Sequence, residues 1–376
     1  MAVTAAAANN FFIYCFLFGS NATVNVGGMV AFTTADHLRL AEIDGTAGIF
    51  RADTQLTTIL TSAPIVAFGF LGSNPAAIAI QGSTLTVQPG QSISLVGGNQ
   101  GFNYTNPDTG ASAFVPGGVT ITGGKLMALG GQISLVSVAS PGEVLNHNFE
   151  YGPNINGAQF ATLGKISLTD GALLDVSADS AGAVKIRGGQ LVIANATVSA
   201  NTGSVDGSPV AIDIKVSDGV SLSSAHLSAL TATTSSTGNA GDIKISSDSL
   251  NATFGTDSFF VSLIDSHSIG HGNGGNVFID TGIGPLTVNA TPTAEGRNFI
   301  TNGTGGEGNG GNVTITAGDV ELTNTTIDTG LNVFNGSGSG GNLSIKATSL
   351  VVDNVLLGTD SIGNKAGALN LDSSGL

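Results

Sequence analysis

The chain has 376 residues, of which 56 are glycine and only 10% are charged, while its 41% apolar content and mean hydropathy of +0.30 exclude a disordered chain. With 26 acidic against 11 basic residues, a formal charge of -15 and no basic cluster, it is unsuited to a nucleic-acid backbone or an anionic membrane surface. Cys15 is the only cysteine, which rules out an intrachain disulfide and a cysteine-based zinc cluster.

The chain opens on an alanine run and an apolar stretch, Phe11 to Phe18, far short of the ~20 residues of a spanning helix, so no transmembrane segment is expected. No Lys or Arg precedes Arg39, so the cationic start of a secretory leader is missing. Alternation then predicts strands at Ile78 to Ile80, Leu85 to Val87, Ile93 to Val96, Val119 to Ile121 and Ile133 to Val138, separated by Gly-rich turns. Ten of the 18 phenylalanines lie at or before Phe114, large side chains suited to capping an open core. Residues 100–118, centred on Asn106-Pro107-Asp108-Thr109-Gly110, break the strand rhythm and predict a loop or hairpin that leaves it.

The second half repeats. A small-residue pair, a polar residue and alternating apolar positions recur as AGAVKI from Ala181, AGDIKI from Ala240, GGNVFI from Gly274, GGNVTI from Gly310, GGNLSI from Gly340 and AGALNL from Ala366, with a degenerate PVAIDI from Pro209. Each unit reads as three short strands, for example Val313 to Thr316, Val320 to Thr323 and Thr326 to Thr329. The period drifts between 26 and 36 residues, which a closed propeller resists and a solenoid tolerates. If each unit is one coil, Asn276, Asn312 and Asn342 stack ~4.8 Å apart and their amides bond along the stack. The expected fold is therefore all-β: a right-handed parallel β-helix (solenoid) with an extra-helical loop or hairpin, and with glycines at corners that need positive φ.

The stretches FGSNATVNVGG (Phe18 to Gly28), TTADHLRLAE (Thr33 to Glu42), FGFLGSNPAAIAIQG (Phe68 to Gly82), LTVQPGQSISLVGGN (Leu85 to Asn99) and GGKLMALGGQISLVSVASPGEV (Gly123 to Val144) resemble the secretion domain of the filamentous haemagglutinin family, most of all its cyanobacterial members. The resemblance implies a partial two-partner secretion (haemagglutination activity) domain over 1–145 and a β-helical repeat region over 146–376. It implies export by an outer-membrane two-partner secretion transporter of the Omp85 type with POTRA modules, and a secreted or cell-surface product acting in adhesion or aggregation, with a glycan or cell-surface receptor as ligand. The family's Asn-Pro-Asn-Gly positions hold Phe12, Ile13, Tyr14 and Cys15 here. That departure predicts an N-terminally truncated member with weakened transporter engagement, or a nonfunctional remnant.

Gly270 to Gly275 fits G-x-G-x-x-G, as do Gly303, Gly305 and Gly308, but strand-like alternation follows each where a dinucleotide site needs a helix. Asp265, His267 and His271 have metal-ligand residue types but read as a solvated coil edge, and the Gly-Asn-Gly-Gly-Asn segments lack the aspartate and nine-residue period of calcium repeats. A polysaccharide-active lyase or hydrolase is the enzyme alternative; its carboxylates would come from Asp213 and Asp242, with Lys215 and Lys244, if those coils stack in register. The preferred reading has no catalytic, cofactor-binding or metal residue. Phe102, Tyr104 and Phe114 read mainly as anchors of the excursion, and the Ser, Thr and Asn of the lateral faces as a multivalent binding surface.

Overall fold

The computed structural model describes residues 2–5, 9–12, 16–19, 22–41, 47–53, 55–59, 63–73, 75–105, 110–145, 160–225, 228–254, 261–290, 297–330, 337–359 and 366–373. Every regular element among them is a strand, most strands pair in parallel, and the fold is an all-β parallel β-helix. The chain divides into two compact units, one of Met1–Ala128, Gln132–Ser167 and Lys185–Leu191, the other of Leu129–Gly131, Leu168–Val184 and Val192–Leu376.

In the first unit three columns of parallel strands form three faces. The first stacks Ala2–Ala5, Thr23–Val26, Thr84–Val87 and Lys125–Met127; the second Asn9–Phe12, Val30–Thr33, Ser92–Gly98 and Gln132–Val138; the third Phe16–Phe18, Ile78–Gln81 and Val119–Thr122. All five strands expected from alternation lie in these columns. Their inward residues, such as Val24, Leu85 and Leu126, stack in register and are buried, each removing apolar surface worth about 1.5–3 kcal/mol before entropy.

After three of the second-face strands, Val30–Thr33, Ser92–Gly98 and Gln132–Val138, the chain leaves the coil at the same corner. Following Thr33 it builds His37–Ala41, Ala47–Arg51 and Ile65–Phe70; following Gly98 it forms an antiparallel hairpin of Phe102–Thr105 and Ser112–Val115; following Val138 it adds Gly142–Leu145 to the first excursion. The hairpin is the predicted departure, with the turn residues 106–109 outside the described residues. The four-stranded antiparallel sheet, in the order Gly142–Leu145, Ile65–Phe70, His37–Ala41, Ala47–Arg51, was not expected. It rests on the coil through Leu38, Phe68, Phe70, Val144 and Phe160, packed on Ala31, Val96, Val136 and Val138. Phe68 and Phe70 thus fill the layer beneath this sheet rather than an open end.

In the second unit the repeats form three columns again. One runs from Val210–Ser224 through Asp242–Ser246, Val277–Asp280, Val313–Thr323 and Leu343–Asp353 to Leu369–Ser373. The second links the latter half of the long strands through Leu250–Phe254 and Leu286–Asn289. The third stacks Leu173–Asp175, Thr197–Ser199, Leu230–Thr231, Val261–Asp265, Arg297–Thr301, Thr326–Asp328 and Leu356–Gly358. The three strands read for the unit at Val313 are present, the first two joined as one bent strand. The degenerate PVAIDI copy enters its column with a register shift between Val210 and Ile212.

The asparagine stack forms as expected. Asn276, Asn312 and Asn342 each donate a main-chain and a side-chain N–H to the preceding side-chain oxygen, at 2.9–3.0 Å, and the column starts from Asp242. A second column runs from Asp206 through Asn239 and Asn273 to Asn309 and the main-chain N–H of Ser339. Both begin on a carboxylate, which only has to accept.

The role assigned to the repeat glycines needs correction. Left-handed φ falls on Asp170, Asn195, Asn324 and Asn354, and on glycines outside the repeat pairs such as Gly171 and Gly282. At Gly275, Gly311 and Gly341 a Cβ would instead collide with the carbonyl oxygen of the glycine one coil earlier. Close coil-to-coil approach, not backbone handedness, keeps these positions glycine.

Candidate functional site

The excursions of the first unit carry the features that depart most from a plain solenoid. In the antiparallel sheet, alternation along His37–Ala41 sends Leu38 and Leu40 into the core and leaves Arg39 half-exposed. Arg39 Nε donates to Glu143 Oε1 and Oε2 at 3.2 and 3.1 Å, and Nη2 to Oε2 at 2.9 Å, a forked pair that ties the first excursion to the third. His37 Nε2 lies 3.5 Å from Glu143 Oε1, and the imidazole lies over Gly69, its cross-strand partner, where a Cβ would leave it no room. Burial pushes the Glu143 carboxyl up, but the hydrogen bond and charge of Arg39, with help from His37, outweigh it and hold the group below its ordinary value.

The hairpin has two faces. Phe102 and Tyr104 are half-buried, while Phe114 is 65% exposed on the opposite face with Asn103, its cross-strand partner. Tyr104, Ala111, Ala113 and Val115 line a groove of about 330 Å³ against Leu17, Gly19 and Gln81 of the coil. Anchoring therefore describes Phe102 and Tyr104 but not Phe114.

The other candidates lie in the second unit. Asp265 and His267 meet, Nδ1 of the imidazole 2.5 Å from Asp265 Oδ1. Burial pushes the His267 pKa down, and the hydrogen bond and charge of Asp265 more than reverse this, leaving it raised. His271 does not join them: it pairs with Glu307 of the next coil at 2.8 Å, both groups exposed. No group of three ligand-type side chains converges among the described residues. The coils carrying Asp213 and Asp242 do stack, with Asp213 opposite Lys244 and Lys215 opposite Ser246. Asp242 Oδ1 accepts both N–H groups of Asn276, Lys244 Nζ lies 3.8 Å from Asp242 Oδ2, and the same Nζ sits 5.4 Å from the Phe278 ring centre. These are the contacts of a lateral polar ladder.

The early coils of this parallel β-helix carry an excursion sheet and a hairpin. Residues 16–186 match the sequence profile of the TPS secretion domain. That match supports a two-partner secretion exoprotein of the filamentous haemagglutinin type, a secreted or cell-surface product exported through an outer-membrane transporter. Its fold is similar to the crystal structure of the HMW1 secretion domain from Haemophilus influenzae, with a TM-score of 0.53, 14% identity, and coverage of 98% of this chain and 79% of that one. At that identity the likeness is one of fold. No curated protein matches the chain. Among the described residues no helix is long and apolar enough to cross a membrane.

The sequence reading missed His37, Arg39 and Glu143. Alternation in TTADHLRLAE places His37 and Arg39 on one strand face, but nothing local points to Glu143, far along the chain.

Proposed function

We propose that this exoprotein acts in surface adhesion or aggregation as a non-enzymatic scaffold, its lateral faces presenting repeated weak contacts to glycans or other cell-surface receptors. The observation that supports this reading most is the polar ladder. Successive coils hold Asn273, Asn309 and Ser339, and beside them Asn276, Asn312 and Asn342, at fixed spacing on exposed or half-exposed positions. Groups repeated at one strand spacing suit multivalent binding, where each contact is weak and avidity is large.

On the same reading, residues 1–145 are the part engaged by a transporter of the Omp85 type through its POTRA modules, and residues 146–376 are the repeat region. The excursion sheet, locked by Arg39 and Glu143, is the rigid landmark of the first part.

Purified chain coated on beads at high density should agglutinate glycan-bearing cells, and excess soluble chain should compete. Absence of agglutination at every coating density refutes adhesion. Cleavage of acidic or neutral polysaccharides by the chain refutes the non-enzymatic part.

A further inference from the structure

One concavity in the second unit is not accounted for by the ladders. Ser262, Asp265, His267, Ile269, Asn298 and Thr301 line a lateral groove of about 470 Å³, floored by Gly303, Thr304 and Gly305. This lies within the ~300–1,000 Å³ range of small-molecule sites. Cross-strand register builds it: Ser262 stands opposite Asn298, and Asp265 opposite Thr301, one coil on.

The polar groups are fixed in advance. Ser262 and Thr301 share a hydroxyl hydrogen bond of 2.6 Å, and Asn298 Nδ2 donates to Thr301 Oγ1 at 3.0 Å. That orients the Asn298 amide and leaves its Oδ1, among the described residues, as a free acceptor. Asp265 Oδ1 holds His267 Nδ1, which leaves Oδ2 as a second acceptor and Nε2 as the remaining polar atom of the imidazole. Beside them Ile269, 58% exposed, adds an apolar surface to the lining of the same groove.

This donor and acceptor set selects a ligand by elimination. An anion would meet Asp265 and the field of a chain with net charge -15. A simple cation would compete with the imidazole already paired to that carboxylate. A neutral molecule with adjacent hydroxyls fits: two O–H groups donate to Asp265 Oδ2 and Asn298 Oδ1, and a C–H face lies on Ile269. We infer that this groove is a subsite for a neutral, hydroxyl-rich saccharide, held by Asp265, His267 and Asn298 and packed against Ile269.

The inference deepens the adhesive reading and rests on it for the ligand class, but its test is separate. The full chain is titrated calorimetrically with the methyl glycosides of glucose, galactose and mannose and with lactose, maltose and cellobiose. At least one should bind in the millimolar range, and Asp265→Asn and Ile269→Ser should each weaken it by about tenfold or more. Thr314→Ala, on another face of the second unit, should leave binding unchanged. Ile269 is exposed, so its variant tests the groove even if Asp265→Asn disturbs folding. No binding by any of the six sugars, or binding that both groove variants leave intact, overturns the inference. Agglutination that persists in groove variants that no longer bind sugar assigns adhesion to the ladders and leaves the groove inference standing; sugar binding at the groove without agglutination sinks adhesion and spares the groove.

Discussion

The asparagine column has a direction, and exchanging Asn and Asp at two of its positions tests that direction. Asn312 donates Nδ2 to Asn276 Oδ1 at 3.0 Å and accepts the main-chain and side-chain N–H groups of Asn342 at 3.0 and 2.9 Å. Asn312→Asp keeps the acceptor but replaces the donor with an oxygen facing another oxygen. The loss is one net hydrogen bond, about 0.5–1.5 kcal/mol, plus repulsion between the two acceptors, for a total of about 1–2 kcal/mol. Asp242→Asn keeps the only role Asp242 plays in the column, acceptance at Oδ1, and gives up a partly exposed contact with Lys244 at 3.8 Å, so it should cost under about 0.5 kcal/mol. Urea unfolding of the full chain at pH 7, followed by circular dichroism, should show a lowered midpoint for the first variant and almost none for the second. Near pH 3.5 the introduced carboxyl is largely protonated and regains a donor, so the gap between Asn312→Asp and wild type should narrow. Equal penalties for the two variants, or a pH-independent gap, would refute the polarity argument.

Val313→Asp places a carboxylate in a fully buried column between Val277 and Leu343, and thermal unfolding should reveal a loss of about 3 kcal/mol or more; an unmoved transition means the facing is wrong. Gly311→Ala should destabilise by about 1–3 kcal/mol because its Cβ meets the Gly275 carbonyl; a urea midpoint equal to or above wild type contradicts the close-approach account. Glu143 has a folded pKa below its unfolded value near 4.5, so its ion pair stabilises fully above that value and the contribution is lost as pH falls through the folded pKa. Glu143→Gln should therefore lower stability at pH 7, by under about 1 kcal/mol given its partial exposure, seen as a reduced melting temperature that converges with wild type in acid; a difference that grows in acid has the wrong sign.

What was legible in the sequence follows the reach of each interaction. The columns of Val277, Val313 and Leu343 recur one coil apart, so period-two alternation plus a repeat specified both the strands and their stacking. The asparagine ladder was legible for the same reason. The excursion sheet was not, because its edge strand Gly142–Leu145 pairs with Ile65–Phe70 across a long stretch of coil and no repeat marks either partner. The reason for the glycines was misread because sequence does not distinguish a forbidden φ from a neighbour too close for a Cβ. His271 fell outside its expected cluster because adjacency along the chain suggested Asp265 and His267, whereas stacking offered Glu307 from the next coil.

The shared corner of departure in the first unit has an architectural consequence. Residues 34–77 and 99–118 are spliced between the same two faces, one segment roughly twice as long as the other, and in both cases the chain resumes its third-face strand in register. Loop-closure entropy rises only logarithmically, so doubling such an insert costs about 0.6 kcal/mol. That vertex is a graft point: new modules can be hung there without re-timing the windings above or below, and ornament evolves apart from axle.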